Sequence, residues 1–188
     1  LIKVKNIDGI WLDFIRYPCH WEEIRSSNIT EYCFCHNCLS KFKKEVGRRP
    51  EGKKWIDWKC KQIAEFVPDV KKLLKKSKKK ISLGMFAIPW QKKEFDNAIT
   101  NIIGQDFKLL SRYIDIFSPM TYQKFCGRPV SWIGETVKYF SKINKKPVLP
   151  IIQTENRAGR IYVNEFRAEI ENAIRHPSQG LIIFYLED

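Results

Sequence analysis

The chain has 188 residues, 44% of them apolar, with nine Gly and nine Pro. That suits one folded core and excludes disordered, collagen-like and low-complexity classes. The net charge of +13 is local: residues 41–80 hold 16 Lys/Arg against 5 Asp/Glu, and the other 148 residues hold 18 against 16.

No run reaches the ~18 uncharged apolar residues a membrane-spanning helix needs. The sequence opens at Leu1 and enters an apolar run within a few residues. It is therefore expected to lack an N-terminal portion, and the absence of a leader leaves the compartment unassigned. The first strand-like run is Gly9–Tyr17, GIWLDFIRY, apolar on both alternating faces. Strands covered on both sides read this way, most often parallel ones.

A long insertion follows. It carries Cys33-Phe34-Cys35-His36-Asn37-Cys38, a C-x-C-x-x-C motif. Thiolates this close can hold one tetrahedral Zn2+ in a structural role, with a fourth ligand from elsewhere. Cys19 and His20 are the nearest candidates, and His36 and Cys60 are weaker ones. The competing reading is a set of buried free thiols or a disulfide. The insertion, 19–60, also contains the start of the basic helical region, KFKKEVGRR, which ends further on with KKLLKKSKKK. Such a run reads first as a solvated helix face and second as a polyanion-binding patch. No nucleic-acid-binding signature accompanies it.

Four more apolar runs begin at 81, 114, 147 and 180, a spacing of 33 residues repeated three times. That period suits a strand, a crossover helix and two loops. The segments between them carry helical stripes: Phe107, Leu110 and Tyr113; Ile133, Val137 and Phe140; Phe166, Ile170, Ala173 and Ile174. The class is α/β. Regular units favour a (β/α)8 TIM barrel over a doubly wound sheet, and no G-x-G-x-x-G or G-x-x-x-x-G-K-[ST] loop is present. Residues 1–188 are expected to form the C-terminal part of such a barrel, about strands four to eight.

Active sites of barrels lie at the C-terminal ends of the strands. Those ends offer Asp13, Arg16 and Tyr17; Trp90; Tyr122 and Gln123; Gln153 and Glu155; and Glu187 and Asp188. For the glycoside cleavage that the resemblance given next implies, two carboxyl groups must stand across the scissile bond, ~5–5.5 Å apart for retention and ~6.5–9.5 Å for inversion. Asp13 is the first candidate, paired with Glu155 on the facing strand or with Glu187 in its place. Trp90, Tyr122 and Tyr17 could stack on a sugar ring, while Arg16, Gln123 and Gln153 supply hydrogen bonds. The bland readings are a structural salt bridge for Asp13 and ordinary core packing for each aromatic.

Asp8-Gly9-Ile10-Trp11-Leu12-Asp13-Phe14-Ile15-Arg16-Tyr17-Pro18 resembles the D-G-x-x-x-D-x-[IV]-R-[FY]-P fourth strand of glycoside-hydrolase-like (β/α)8 barrels. Gly104-Gln105-Asp106, Ser118-Pro119-Met120-x-Tyr122 and Gly127-Arg128-Pro129-Val130-x-Trp132-Ile133 are similar to later landmarks of that group. The segment from Tyr32 to Lys44 is similar to the zinc segment of family 42 β-galactosidases, where it also follows strand four. The resemblance implies a glycosidase acting on an oligo- or polysaccharide, with structural zinc. It breaks at the acid/base position, where those galactosidases carry Glu after Asn and this chain carries Asp13. The alternatives are a non-catalytic carbohydrate-binding barrel and, more weakly, a zinc-containing nucleic-acid-binding protein.

Overall fold

The computed structural model describes residues 6–47, 49–154 and 159–184. In chain order its elements are β1 (Gly9–Leu12), α1 (His36–Val46), α2 (Gly52–Leu74), β2 (Ser82–Ala87), α3 (Ala98–Asn101), α4 (Phe107–Leu110), β3 (Ile116–Pro119), α5 (Ser131–Asn144), β4 (Ile151–Gln153), α6 (Val163–Ala173) and β5 (Ile182–Phe184). Two 3-10 turns, Trp21–Glu23 and Glu94–Asn97, lie in the loops after β1 and β2.

Among the described residues every strand pairing is parallel. β1 pairs with β2 and β2 with β3, with Trp11 opposite Gly84 and Phe86 opposite Ser118. β4 pairs with β5, and the pairings of Phe117 with Val148 and Met120 with Ile151 link β3 to β4. The strands thus stand side by side in chain order, without the order reversal of a doubly wound sheet. Each of the five expected runs carries one strand, shorter than the run itself.

The two faces of the sheet differ. Toward the helices, Leu83, Met85, Ala87 and Phe117 are wholly buried against Val67 of α2, Leu110 of α4, and Val137 and Phe140 of α5. On the other face lies Trp11, whose indole crosses β2 and donates from Nε1 to Ser118 Oγ on β3 at 2.9 Å. Gly84 makes this possible: a Cβ there would stand 2.3 Å from Trp11 Cε2. No side chain larger than hydrogen fits under the ring.

The stripe expected over 104–113 is a helix only at α4. The Asp106 side chain caps that turn, accepting from the N–H groups of Lys108 and Leu109 at 2.9 and 3.1 Å. The basic region forms α1 and α2, joined by a small core in which the Phe42 ring meets Trp55 at 5.0 Å and Trp58 at 5.5 Å. Beyond it, Lys72, Lys75, Lys76, Lys78, Lys79 and Lys80 are exposed, as a solvated run should be. Among the described residues no helix is long and apolar enough to cross a membrane.

The loop after β1 is fastened to the rest of the fold. Gln105, buried, donates from Nε2 to the carbonyl of Ile15 and accepts from Ile88 N–H, both at 3.1 Å. Tyr17 N–H donates to the carbonyl of Ile103 at 3.0 Å. A buried amide with both ends satisfied is stabilising and directional, so the residues just past Asp13 are held in place.

Candidate active site and thiol cluster

At the C-terminal ends of the strands a cleft of about 210 Å³ opens. The end of β1 and its loop supply Asp13, Phe14, Arg16, Trp21 and Glu22. Met120, Tyr122 and Phe125 follow β3, while Gln153 ends β4 and Phe184 ends β5. Of the residues singled out from the sequence, Asp13, Arg16, Tyr122 and Gln153 therefore share one cavity.

Asp13 is exposed, and its Oδ1 accepts the Phe14 N–H at 2.7 Å. The Arg16 guanidinium lies 4.8 Å from the centre of the Phe14 ring and donates to the carbonyls of Tyr17 and Cys19 at 3.3 and 3.1 Å. Burial lowers the pKa of Arg16, while Glu22 and Asp13 oppose that shift by attraction. Trp21, 1% exposed, anchors one wall. Its ring stands 5.9 Å from Tyr122, which in turn stands 5.4 Å from Phe184, giving an aromatic row across three elements. Such a row offers flat apolar area to a sugar ring, and Arg16 and Gln153 offer directional contacts.

Three other predicted contacts lie elsewhere. Trp90 is buried, with its ring 4.8 Å from Phe95. Tyr17 is buried on the side of the loop facing the thiols. There burial, and then Cys38, Cys33 and Cys60, push its phenol above the usual range. Gln123 is tied to α6, donating from Nε2 to Glu165 at 3.1 Å and Glu169 at 3.0 Å. Glu155 and Glu187 lie outside the described residues.

Glu22, Trp21, Phe125 and Phe184 were not singled out beforehand. Trp21 and Glu22 sit on a 3-10 turn within a loop, where strand parity has no meaning. The only signal was the Trp-Glu-Glu cluster soon after Arg16.

Glu169, on α6, makes a testable contribution to stability. It is fully buried, and burial pushes its carboxyl up to about 6 against the hydrogen bond from Gln123. Below about pH 4.3 both folded and unfolded chains keep this proton; above that the unfolded chain releases it first. Stability from this group is thus full in acid and lost as pH rises through 6. Relative to Glu169→Gln, the wild type should lose about 2 kcal/mol between pH 4 and pH 7, read from urea unfolding at the two pH values.

The thiol cluster forms as the spacing suggested. The sulfurs of Cys33, Cys35 and Cys38 all lie within 4.8 Å of one another and could hold a metal ion. In a tetrahedral site with metal–sulfur bonds of ~2.3 Å the sulfurs stand roughly 3.8 Å apart, so the three need only close slightly. Cys35 occupies the N-cap position of α1. Hydrogen bonds from the Cys38 backbone and from the Cys33 and Cys38 side chains hold its thiol down at about 7. Thiolate character at a helix start is what a metal ligand needs. Cys19 does not join this group; it packs at the edge of the main core, and its carbonyl serves Arg16.

The profile of a protein family described as "Putative glycosyl hydrolase domain" (DUF4015) matches residues 3–172. The chain belongs to this family. Among solved structures it is similar to the glycoside hydrolase domain of PgaB (BpsB) from Bordetella bronchiseptica, with a TM-score of 0.69 and 12% identity. The match covers 98% of this chain and 53% of that one, so the chain spans about half the length of its structural neighbour. At that identity the likeness establishes a shared fold. No curated protein matches the sequence.

Proposed function

We propose that this member of the glycosyl hydrolase-domain family forms about strands four to eight of a (β/α)8 barrel and cleaves a glycosidic bond at the cleft described above. The parallel strands in chain order favour barrel closure, which three further strand–helix units would complete. The single observation that carries the functional reading is the convergence of Asp13, Arg16, Tyr122 and Gln153 on one cavity beside the aromatic row.

In this reading Asp13 is a catalytic carboxylate and Tyr122 a sugar platform. Its partner carboxyl is Glu155, or Glu187 in its place, both named from the sequence. The substrate is an oligo- or polysaccharide. A barrel that binds carbohydrate without cleaving it would use the same aromatic row. The two readings part on Asp13→Asn and Glu155→Gln in the complete protein: a glycosidase loses turnover in at least one of them with ligand affinity retained. If turnover is untouched in both, the site is wrong.

Cys33, Cys35 and Cys38 would bind Zn2+ in this reading, as in the zinc segment of family 42 β-galactosidases that the motif resembles. The ion would cross-link the start of α1 to the loop before it and take no part in the reaction. We expect one equivalent of zinc in the purified protein by elemental analysis. Cys35→Ser should weaken zinc binding by at least tenfold in a competition with a chromophoric chelator. Equal affinity in wild type and variant would remove the site. The exposed lysines after α2 leave room for a polyanion, and affinity through them would fall steeply with salt.

A further inference from the structure

We propose that Glu22 is a catalytic carboxyl of the cleft, giving its proton to the leaving oxygen of a glycoside on which Asp13 also acts. This rests on the glycosidase reading above and gives the partner role to Glu22, a described residue, in place of Glu155 or Glu187.

Three observations converge on it. The first is position. Glu22 and Asp13 line the same cavity although nine positions separate them, because the loop after β1 doubles back through the 3-10 turn Trp21–Glu23. The second is fixation. Trp21 is packed in the core, and Arg25 donates to the carbonyl of Glu22 at 2.7 Å and to that of Phe125 at 2.9 Å. One guanidinium therefore pins the turn to the loop after β3, whose Phe125 lines the cleft too. A proton donor must be held within reach of the atom it serves, and this turn is held at both ends.

The third is a carboxyl that no cation clamps. Among the described residues Glu22 forms no salt bridge; its carboxyl accepts its own backbone N–H and feels Arg16 and His20 at longer range. It is half-buried, and burial raises its pKa against a hydrogen bond from its own backbone N–H and the attraction of Arg16, whereas Asp13 is exposed. Arg16 lies within electrostatic reach of both, yet its donors go to the carbonyls of Tyr17 and Cys19. It therefore does not clamp either acid. The two carboxyl groups thus stand in unlike settings, one half-buried on a fixed turn and one exposed, and acid and base roles divide between such unlike pairs.

The step balances with water as co-reactant. The proton on the Glu22 carboxyl passes to the glycosidic oxygen as the bond from that oxygen to the anomeric carbon breaks. The oxygen of water forms the new bond at that carbon, directly or after Asp13 has held it as an ester. The proton released by water goes to Asp13 or back to Glu22, and exchange with solvent restores both groups.

The test uses the complete protein and two glycosides of one sugar, an aryl glycoside with a 2,4-dinitrophenolate leaving group and a methyl glycoside. The sugar is chosen by screening wild type on glucosyl, galactosyl and N-acetylglucosaminyl aryl glycosides. Glu22→Gln should lower kcat on the methyl glycoside by roughly 10²-fold or more. Its kcat/KM should stay within tenfold of wild type on the aryl one, whose leaving group needs no proton, and the kcat/KM pH profile on the methyl glycoside should lose its basic limb. Glu22→Asp should keep that limb at a reduced rate. Equal losses on both substrates with the profile intact, or no loss, would overturn the proposal. Asp13→Asn, run in parallel, separates the two readings. If Asp13→Asn is inactive while Glu22→Gln is normal, only Glu22 is rejected; if Asp13→Asn is normal, or wild type cleaves none of the panel, both fall.

Discussion

Asp13→Asn should reduce glycoside turnover by about 10²–10⁴-fold, the span a general acid–base group ordinarily contributes, while the folded state is hardly altered. The carboxylate is exposed and accepts the neighbouring Phe14 N–H, which an Asn side-chain oxygen can also accept. Little packing is at stake, so a loss of rate would be chemical in origin. Ligand affinity, measured by calorimetry on the variant, should remain near that of wild type, since Tyr122, Gln153 and Arg16 are untouched. A fall in affinity with an unchanged rate constant would reassign Asp13 from chemistry to binding.

The second large effect is on stability and concerns Lys59. Its side chain is fully buried in α2, where Nζ donates to Glu31 and, at 2.6 Å, to the carbonyl of Asn101. Trp55 Nε1 donates to the same Glu31 oxygen at 2.9 Å. Lys59 thus joins α2 to the end of α3 and to the segment that leads into Cys33. Lys59→Ala would leave Glu31 without its cation and the Asn101 carbonyl without its donor, and would open a void the length of the stem. Breaking buried pairs from one side costs about 3–5 kcal/mol. Glu31 remains partly hydrated, so we expect about 3 kcal/mol by urea unfolding, a drop of roughly 6–12 °C in Tm for a chain of this size. Lys59→Met, which refills the volume but not the charge, should recover part of the loss. A change below about 1 kcal/mol would show that the pair contributes little net stability, as many do.

The strand-and-helix alternation was legible because apolar periodicity and a fixed repeat are local properties of the chain. The 33-residue spacing located β2 to β5 and their shared direction, since consecutive parallel strands need a crossover of about that length. The Cys cluster was legible for the same reason: its three thiols fall within six residues. Asp13, Arg16, Tyr122 and Gln153 followed from a rule about which end of a strand carries function. Trp90 and Tyr17 obey the same rule in sequence, but the chain bends after each strand. Trp90 turns down onto Phe95, and Tyr17 turns away toward the thiols. Which way an aromatic faces after a strand ends depends on loop geometry that no periodicity encodes. Gln123 was drawn off by two carboxylates on α6, a contact separated by more than forty residues. Glu22 escaped because the turn that delivers it is set by Arg25 reaching across to Phe125, again a long-range contact.

The indole of Trp11 and the bare backbone of Gly84 occupy one volume between them, directly opposite each other in register. Neither position is free to drift alone: a methyl at 84 evicts the ring, and a small residue at 11 leaves a hollow beneath the strand that carries Asp13. Among descendants of this sequence the two sites should be inherited as a couple, large with absent or both intermediate, and a laboratory search that randomises only one of them should return the starting residue.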